Sequence, residues 1–134
     1  MSTDLRLLVL ALIAFYTKHF LADFLLQTEW MARGKEQARD WQAPLSAHAG
    51  CHAVLTVGII LWFNASLWWL GPVDFLVHAA IDRSKGLILR GAGVSQGSTM
   101  WWSIFGIDQT MHHLTHLLYS VMIVLAASAV TLTR

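Results

Sequence analysis

Four stretches of the chain put ionisable side chains four residues apart inside otherwise apolar runs. The pairs are His19 with Asp23, His48 with His52, His78 with Asp82, and Asp108 with His112, which His116 continues. Residues four apart lie on one face of an α-helix. Each run is therefore expected to be a helix carrying one polar stripe. Such a stripe is costly against lipid and should face other protein. Four helices can satisfy four such stripes together by meeting through them.

Composition says where those helices sit. Of 134 residues, 56% are hydrophobic and 13% are charged, against roughly 25% charged in soluble proteins. That balance points to one membrane-embedded domain over residues 1–134. The net charge is +1 and no separate basic run is interleaved with aromatics, which argues against nucleic acid as a partner. Cys51 is the sole cysteine, so no intrachain disulfide can form. Lys18, His19 and Asp23 interrupt the first apolar run where a cleaved signal would be uniform, so it is read as a retained helix. There is no phosphate loop, dinucleotide fingerprint or nucleophile elbow.

The expected fold is all-α: a polytopic membrane protein with four transmembrane helices in a compact bundle. The helices are expected at about 5–27, 45–63, 67–88 and 106–132, each near the roughly 20 residues a crossing needs. Ser2, Thr3 and Asp4 offer N-caps. Residues 28–44 mix charges with Trp30, Met31 and Trp41, which suits a segment lying at the interface. Trp68, Trp69, Trp101 and Trp102 mark aromatic belts. Gly71 and Pro72 fall in first turns of the third crossing, where proline is tolerated. Gly91 to Ser98 reads as a loop. Arg33, Lys35 and Arg39 follow the first crossing, and Arg83, Lys85 and Arg90 close the third. The turn between the second and third has no Lys or Arg, while the termini offer Arg6 and Arg134. The two basic loops should share the cytoplasmic side, with both termini outside.

That topology brings the stripes to one depth. His19 and His52 each lie seven residues from a cytoplasmic helix end, roughly 10 Å along the axis. Imidazoles and carboxylates in close array are ligands for zinc, manganese or iron. The candidate ligands are His19, Asp23, His48, His52, His78, Asp82, Asp108 and His112. Eight groups allow two ions, or one ion with an outer layer and a general base. Asp23, Asp82 and Asp108 are the candidate catalytic carboxylates. Arg33, Lys35, Arg83 and Lys85 are candidates for an anionic headgroup, with Gln27, Gln109 and His116 as an outer layer around the ligands. Asp74 is held back as nearer the outer face, and His113 falls off the stripe. By helical phase Lys18 points away from His19 and Asp23, and Arg83 and Lys85 can snorkel to water. Buried carboxylates then outnumber buried cations, so a divalent ion or protonated histidines should balance them.

The blander reading is that each intramembrane histidine merely packs helices through hydrogen bonds. The weight of four aligned stripes favours a metal-dependent, phosphoesterase-like hydrolase acting on a lipid or lipid-linked substrate at the cytoplasmic leaflet. The alternatives are a transporter or proton-relay subunit, or a non-catalytic structural or regulatory membrane module. Membrane lipids are the expected partners, and a homo-oligomer is allowed.

The same residues carry a resemblance. His19-Phe20-Leu21-Ala22-Asp23-Phe24-Leu25-Leu26-Gln27-Thr28-Glu29-Trp30-Met31-Ala32, then Lys35, His48 and His52, His78 with Asp82, and Asp108-Gln109 with His112 recur in order. This pattern resembles the domain-of-unknown-function 3307 family of bacterial and phage integral membrane proteins, across the whole chain. The departures lie in the loops, notably Gly91 to Ser98. The resemblance implies a multi-pass protein of the bacterial inner membrane and supports the choice of residues. It implies no reaction.

Overall fold

A computed structural model describes residues 2–132, with side chains through residue 129. Arg134, counted above among the outer basic residues, lies outside them. Helix α1 (Thr3–Phe20) starts where the Ser2 hydroxyl accepts the Leu5 N–H at 3.3 Å. It runs without a break into a π-helical turn, Leu21–Leu26. Thr28 caps the short α2 (Glu29–Gly34) by accepting the Met31 N–H. Helix α3 (Gln42–Phe63), a 3-10 turn (Ala65–Leu67), α4 (Leu70–Gly91) and α5 (Thr99–Leu132) complete the chain. Among the described residues there is no strand.

Three helices are long and apolar enough to cross a membrane: Thr3–Leu26, Gln42–Phe63 and Thr99–Ala129. Helix α4 equals α3 in length at 22 residues. It carries Asp74, Asp82, Arg83, Lys85 and Arg90, so it does not qualify on composition. The expected count of four crossings therefore reduces to three on this criterion.

Several helix starts differ from expectation. Helix α3 begins at Gln42 rather than residue 45, because Pro44 is only its third residue. The first four N–H groups of a helix have no intrahelical acceptor, so proline costs nothing there. Helix α4 begins at Leu70 rather than residue 67, because the Asn64 carboxamide accepts the Ser66 N–H at 3.1 Å and folds Ala65–Leu67 into the 3-10 turn. Helix α5 begins at Thr99, seven residues before the expected Gly106. The Ser98 hydroxyl accepts the Trp101 N–H at 3.2 Å, so Trp101 and Trp102 belong to the helix. Gly93 and Gly97 turn the preceding loop at φ 59° and 82°, a region open to glycine at little cost.

The bundle has two halves of different chemistry. Toward the start of α1 and the turn at residues 64–69, Ala11, Phe15, Ile60, Leu70, Tyr119 and Ile123 close into an apolar core. Toward the loops at 27–41 and 92–98, the interior is polar. Helices α3 and α4 meet closely: a Cβ on Gly71 would stand 2.2 Å from Val57 Cγ2. Gly34 likewise lets α2 seat on the Pro44 ring.

Candidate metal centre

Asp23 leaves α1 through the π-helical turn, a local widening by one residue that recurs at functional sites. Its Oδ1 lies 2.9 Å from His52 Nε2 and 3.4 Å from His48 Nε2, and its Oδ2 lies 3.2 Å from His19 Nε2. His48 and His52 come from successive turns of α3, with ring centroids 4.7 Å apart. His78 of α4 stacks between His52 at 3.6 Å and His112 of α5 at 3.9 Å. Four helices thus deliver imidazoles to one buried volume.

Asp82 forms the second focus. Its Oδ2 is 2.9 Å from Lys35 Nζ, 3.3 Å from His48 Nε2 and 3.7 Å from His78 Nε2. Its Oδ1 is 3.7 Å from Lys85 Nζ and 3.9 Å from His112 Nε2. Asp108 stands 3.8 Å from His112 and 3.6 Å from Lys85. Gln109 links the foci, donating to Asp108 Oδ2 and accepting from His19 Nε2, both at 3.1 Å.

The donor set fits a divalent ion. One ligand atom each from Asp23, His48, His52 and His78 falls within 4.8 Å of the others, as does one each from His78, Asp82 and His112. Two ligands about 2.0–2.1 Å from a tetrahedral zinc stand roughly 3.3 Å apart. The Asp23 contacts to His48 and His52 already bracket that spacing. His48 Nε2, His78 Nε2 and Asp108 Oδ1 are buried and make no hydrogen bond. Buried polar atoms nearly always make one. Nitrogens that converge on carboxylates outside hydrogen-bonding geometry are what ligands around a cation look like.

The lysines correct the charge count expected from the sequence. Lys18 does not point away from the site. Its Nζ pairs with Asp74 Oδ2 at 2.8 Å, 3.4 Å from His116 Nε2, and Thr56 donates to the same carboxylate oxygen at 2.8 Å. Ala11, Phe15, Lys18 and Ala22 are all buried and follow a helical spacing of four, three and four. That stripe was readable, but phase taken from His19 alone hides it. Asp74 is therefore interior rather than peripheral. Lys85 does not snorkel either: it is 10% exposed among Glu36, Asp82 and Asp108. Lys35, from the turn after α2, is buried on Asp82. No periodic signal marks it, since it lies outside a helix. Among the interior aspartates the deficit of positive charge thus narrows to one carboxylate. Asp74, Asp82 and Asp108 each have an ammonium within 4 Å, whereas Asp23 has only imidazoles among the described residues.

The two arginines suggested for a headgroup lie elsewhere. Arg33 is exposed and pairs with Glu29 at 2.8 Å. Arg83 donates to the Gln37 carbonyl at 2.8 Å and sits 4.0 Å above the Trp41 ring. Arg83 ties down the segment after α2, whereas the Arg33 pair lies within α2 itself. Gln27 donates to the Asp23 carbonyl at 3.2 Å, and His113 packs on Tyr16 with ring centroids 5.0 Å apart. A cavity of about 170 Å³ opens onto the cluster, lined by Asp23, Lys35, Asp82, Lys85, Asp108 and Gln109, with Glu36 at its edge.

A family model described as "Protein of unknown function (DUF3307)" matches residues 7–134. The chain belongs to that family. The match spans every residue of the cluster, in keeping with the resemblance carried by His19 to Ala32 and by Asp108, Gln109 and His112. No curated protein and no solved structure matches the chain.

Proposed function

We propose that this chain is a metal-dependent, phosphoesterase-like membrane hydrolase acting on a lipid or lipid-linked substrate at the cytoplasmic leaflet. The observation that carries the reading is Asp23: a carboxylate only 12% exposed, surrounded by His19, His48 and His52, with no ammonium within 4 Å among the described residues. A buried charge left unpaired is strongly unfavourable, and a divalent cation supplies the missing partner. The cavity walls add a second argument. Asp23, Glu36, Asp82 and Asp108 face only Lys35 and Lys85, a deficit of two positive charges with neutral imidazoles. One divalent ion neutralises the cavity, and two make it attractive to a phosphoryl group. Asp23, His48 and His52 would hold one ion; Asp82, His112 and Asp108 would hold the other, with His78 between them. Such ions lower the pKa of bound water and clamp phosphoryl oxygens. Lys35 and Lys85 would steady the anion, and Gln109 would fix the His19 ring.

Helix α4 is read as a fourth crossing, which the arrangement of its side chains supports. Asp74, Asp82 and Lys85 turn inward to partners, while Leu76, Leu87 and Ile88 face outward at 66%, 52% and 52% exposure. The basic loop at 27–41 and the end of α4 that carries Arg83, Lys85 and Arg90 then share the cytoplasmic side, with both termini outside. The relay alternative draws on the polar chain from Asp108 through the imidazoles to Lys18, Asp74 and Thr56. Against it stands the apolar core at Phe15, Ile60, Leu70 and Ile123, which ends that chain before the far side. The test is release of phosphate from a lipid phosphate by purified protein loaded with zinc or manganese. Activity lost in Asp82→Asn and kept in Arg33→Ala supports the reading. A metal-loaded protein inert toward phosphomonoesters and phosphodiesters in lipid would exclude it.

A further inference from the structure

On the lipid-facing side, α4 and α5 part along a second cavity of about 250 Å³. Its walls are Ile81, Ile88, Ile104 and Ile107, and its floor holds Lys85 and Asp108. Ile88 and Ile107 are exposed. The same Lys85 and Asp108 line the cavity over the metal ligands, so the apolar groove and the polar site share a wall. Ionised groups at the bottom of a groove open to hydrocarbon are costly unless something polar meets them there. Ala80 and Ser84, one turn apart on α4, are too small to cover the floor. Lys85 Nζ stands at 3.4, 3.7 and 3.6 Å from Glu36, Asp82 and Asp108, shared among three acids with no pairing as short as that of Lys35 or Lys18. It is the ammonium best placed to turn toward an arriving anion.

We infer that the substrate is a single-chain amphiphile with a phosphate head, which reaches the site sideways from the membrane between α4 and α5. Its alkyl or prenyl tail lies along Ile81, Ile88, Ile104 and Ile107, and its phosphate meets Lys85. The groove volume falls below the roughly 300–1,000 Å³ of sites that engulf a whole ligand, which suits part of one chain rather than a whole lipid. This inference rests on the hydrolase reading and adds the substrate's shape and route to it. A loosely held ammonium at Lys85 and continuity with the ligand cluster single out this groove from the other apolar faces.

The test uses the full chain in phosphatidylcholine vesicles with hexadecyl phosphate carrying a photoreactive diazirine at mid-chain. Adducts are mapped by mass spectrometry, and metal content is measured on the same preparation. The expected result is labelling concentrated on Ile81, Ile88 and Ile107, suppressed by unlabelled hexadecyl phosphate and not by hexadecanol. Ile107→Trp should lower that labelling at least about tenfold, a loss of affinity readily distinguished from scatter, with bound metal unchanged. Where Ile107→Trp fails to fold, Ala80→Phe fills the groove from the other helix and is read in the same way. Labelling spread equally over Leu10 of α1 and Val54 of α3, or equal competition by hexadecanol, overturns the inference whether or not metal is bound. Focused, phosphate-competed labelling in protein that holds no metal supports the lateral route and counts against the hydrolase reading alone.

Discussion

Lys18 and Asp74 form a buried ion pair a short way from the candidate metal ligands, and their energetics separate fold from function. Asp74 accepts from both Lys18 and Thr56. Removing it strands an ammonium in a dry interior, a loss of about 3–5 kcal/mol. Asp74→Ala should therefore lower the unfolding free energy by that order, read by denaturation in detergent, while metal bound per folded protein stays constant. Replacing both partners with apolar residues, as in Lys18→Met with Asp74→Leu, should recover most of the loss. Lys35 is predicted to behave differently. Its ammonium sits 2.9 Å from an Asp82 oxygen and competes there with any cation. Lys35→Met should raise affinity for zinc by calorimetric titration and yet lower the proposed hydrolysis, in which the same ammonium would steady the anion. Weaker zinc binding would contradict that assignment. At this scale the sequence was legible for short side chains and opaque for long ones. His and Asp reach little beyond their own stripe, so spacing of four located His48, His52, His78 and Asp82 together. A lysine chain spans several ångströms and can leave its nominal face, which is why Lys18 and Lys85 turned inward against expectation. Lys35 lies in a turn, where no period applies.

Among elements, the α3–α4 contact is the most demanding. Gly71 has no room for a side chain against Val57 Cγ2, and valine is stiff at χ1. Gly71→Ala should force the helices apart at a cost of about 1–3 kcal/mol. Adding Val57→Ala should restore stability, since it removes the atom that clashes. A thermal-unfolding double-mutant cycle measures the coupling, and additive losses would rule out the close approach. Helix existence was readable from hydrophobic runs, because long apolar stretches have few other solutions in a membrane. Starts were less readable. A serine cap at Ser98 and a tolerant first turn at Pro44 are local choices that hydropathy does not record. The π-helical turn at Leu21–Leu26 left no mark in composition at all, although it carries Asp23.

For the whole molecule, the bundle divides into an apolar half toward the start of α1 and a polar half toward the loops at 27–41 and 92–98. Reporter fusions should report the 35–40 segment inside and the C-terminus outside; a cytoplasmic C-terminus would reverse the assigned leaflet. The central claim is that a divalent ion balances Asp23 among His19, His48 and His52. Its most direct test is elemental analysis of gently purified protein, wild type beside Asp23→Asn, with unfolding followed with and without chelator. The account predicts about one to two zinc, manganese or iron ions per chain. It predicts at least about a tenfold weaker affinity in Asp23→Asn, in line with what disturbing a ligand set costs. Chelation should remove about 2.7 kcal/mol of stability if the ion stands at a hundred times its Kd. Metal-free protein that neither zinc nor manganese stabilises, with Asp23→Asn unfolding like the wild type, would contradict it.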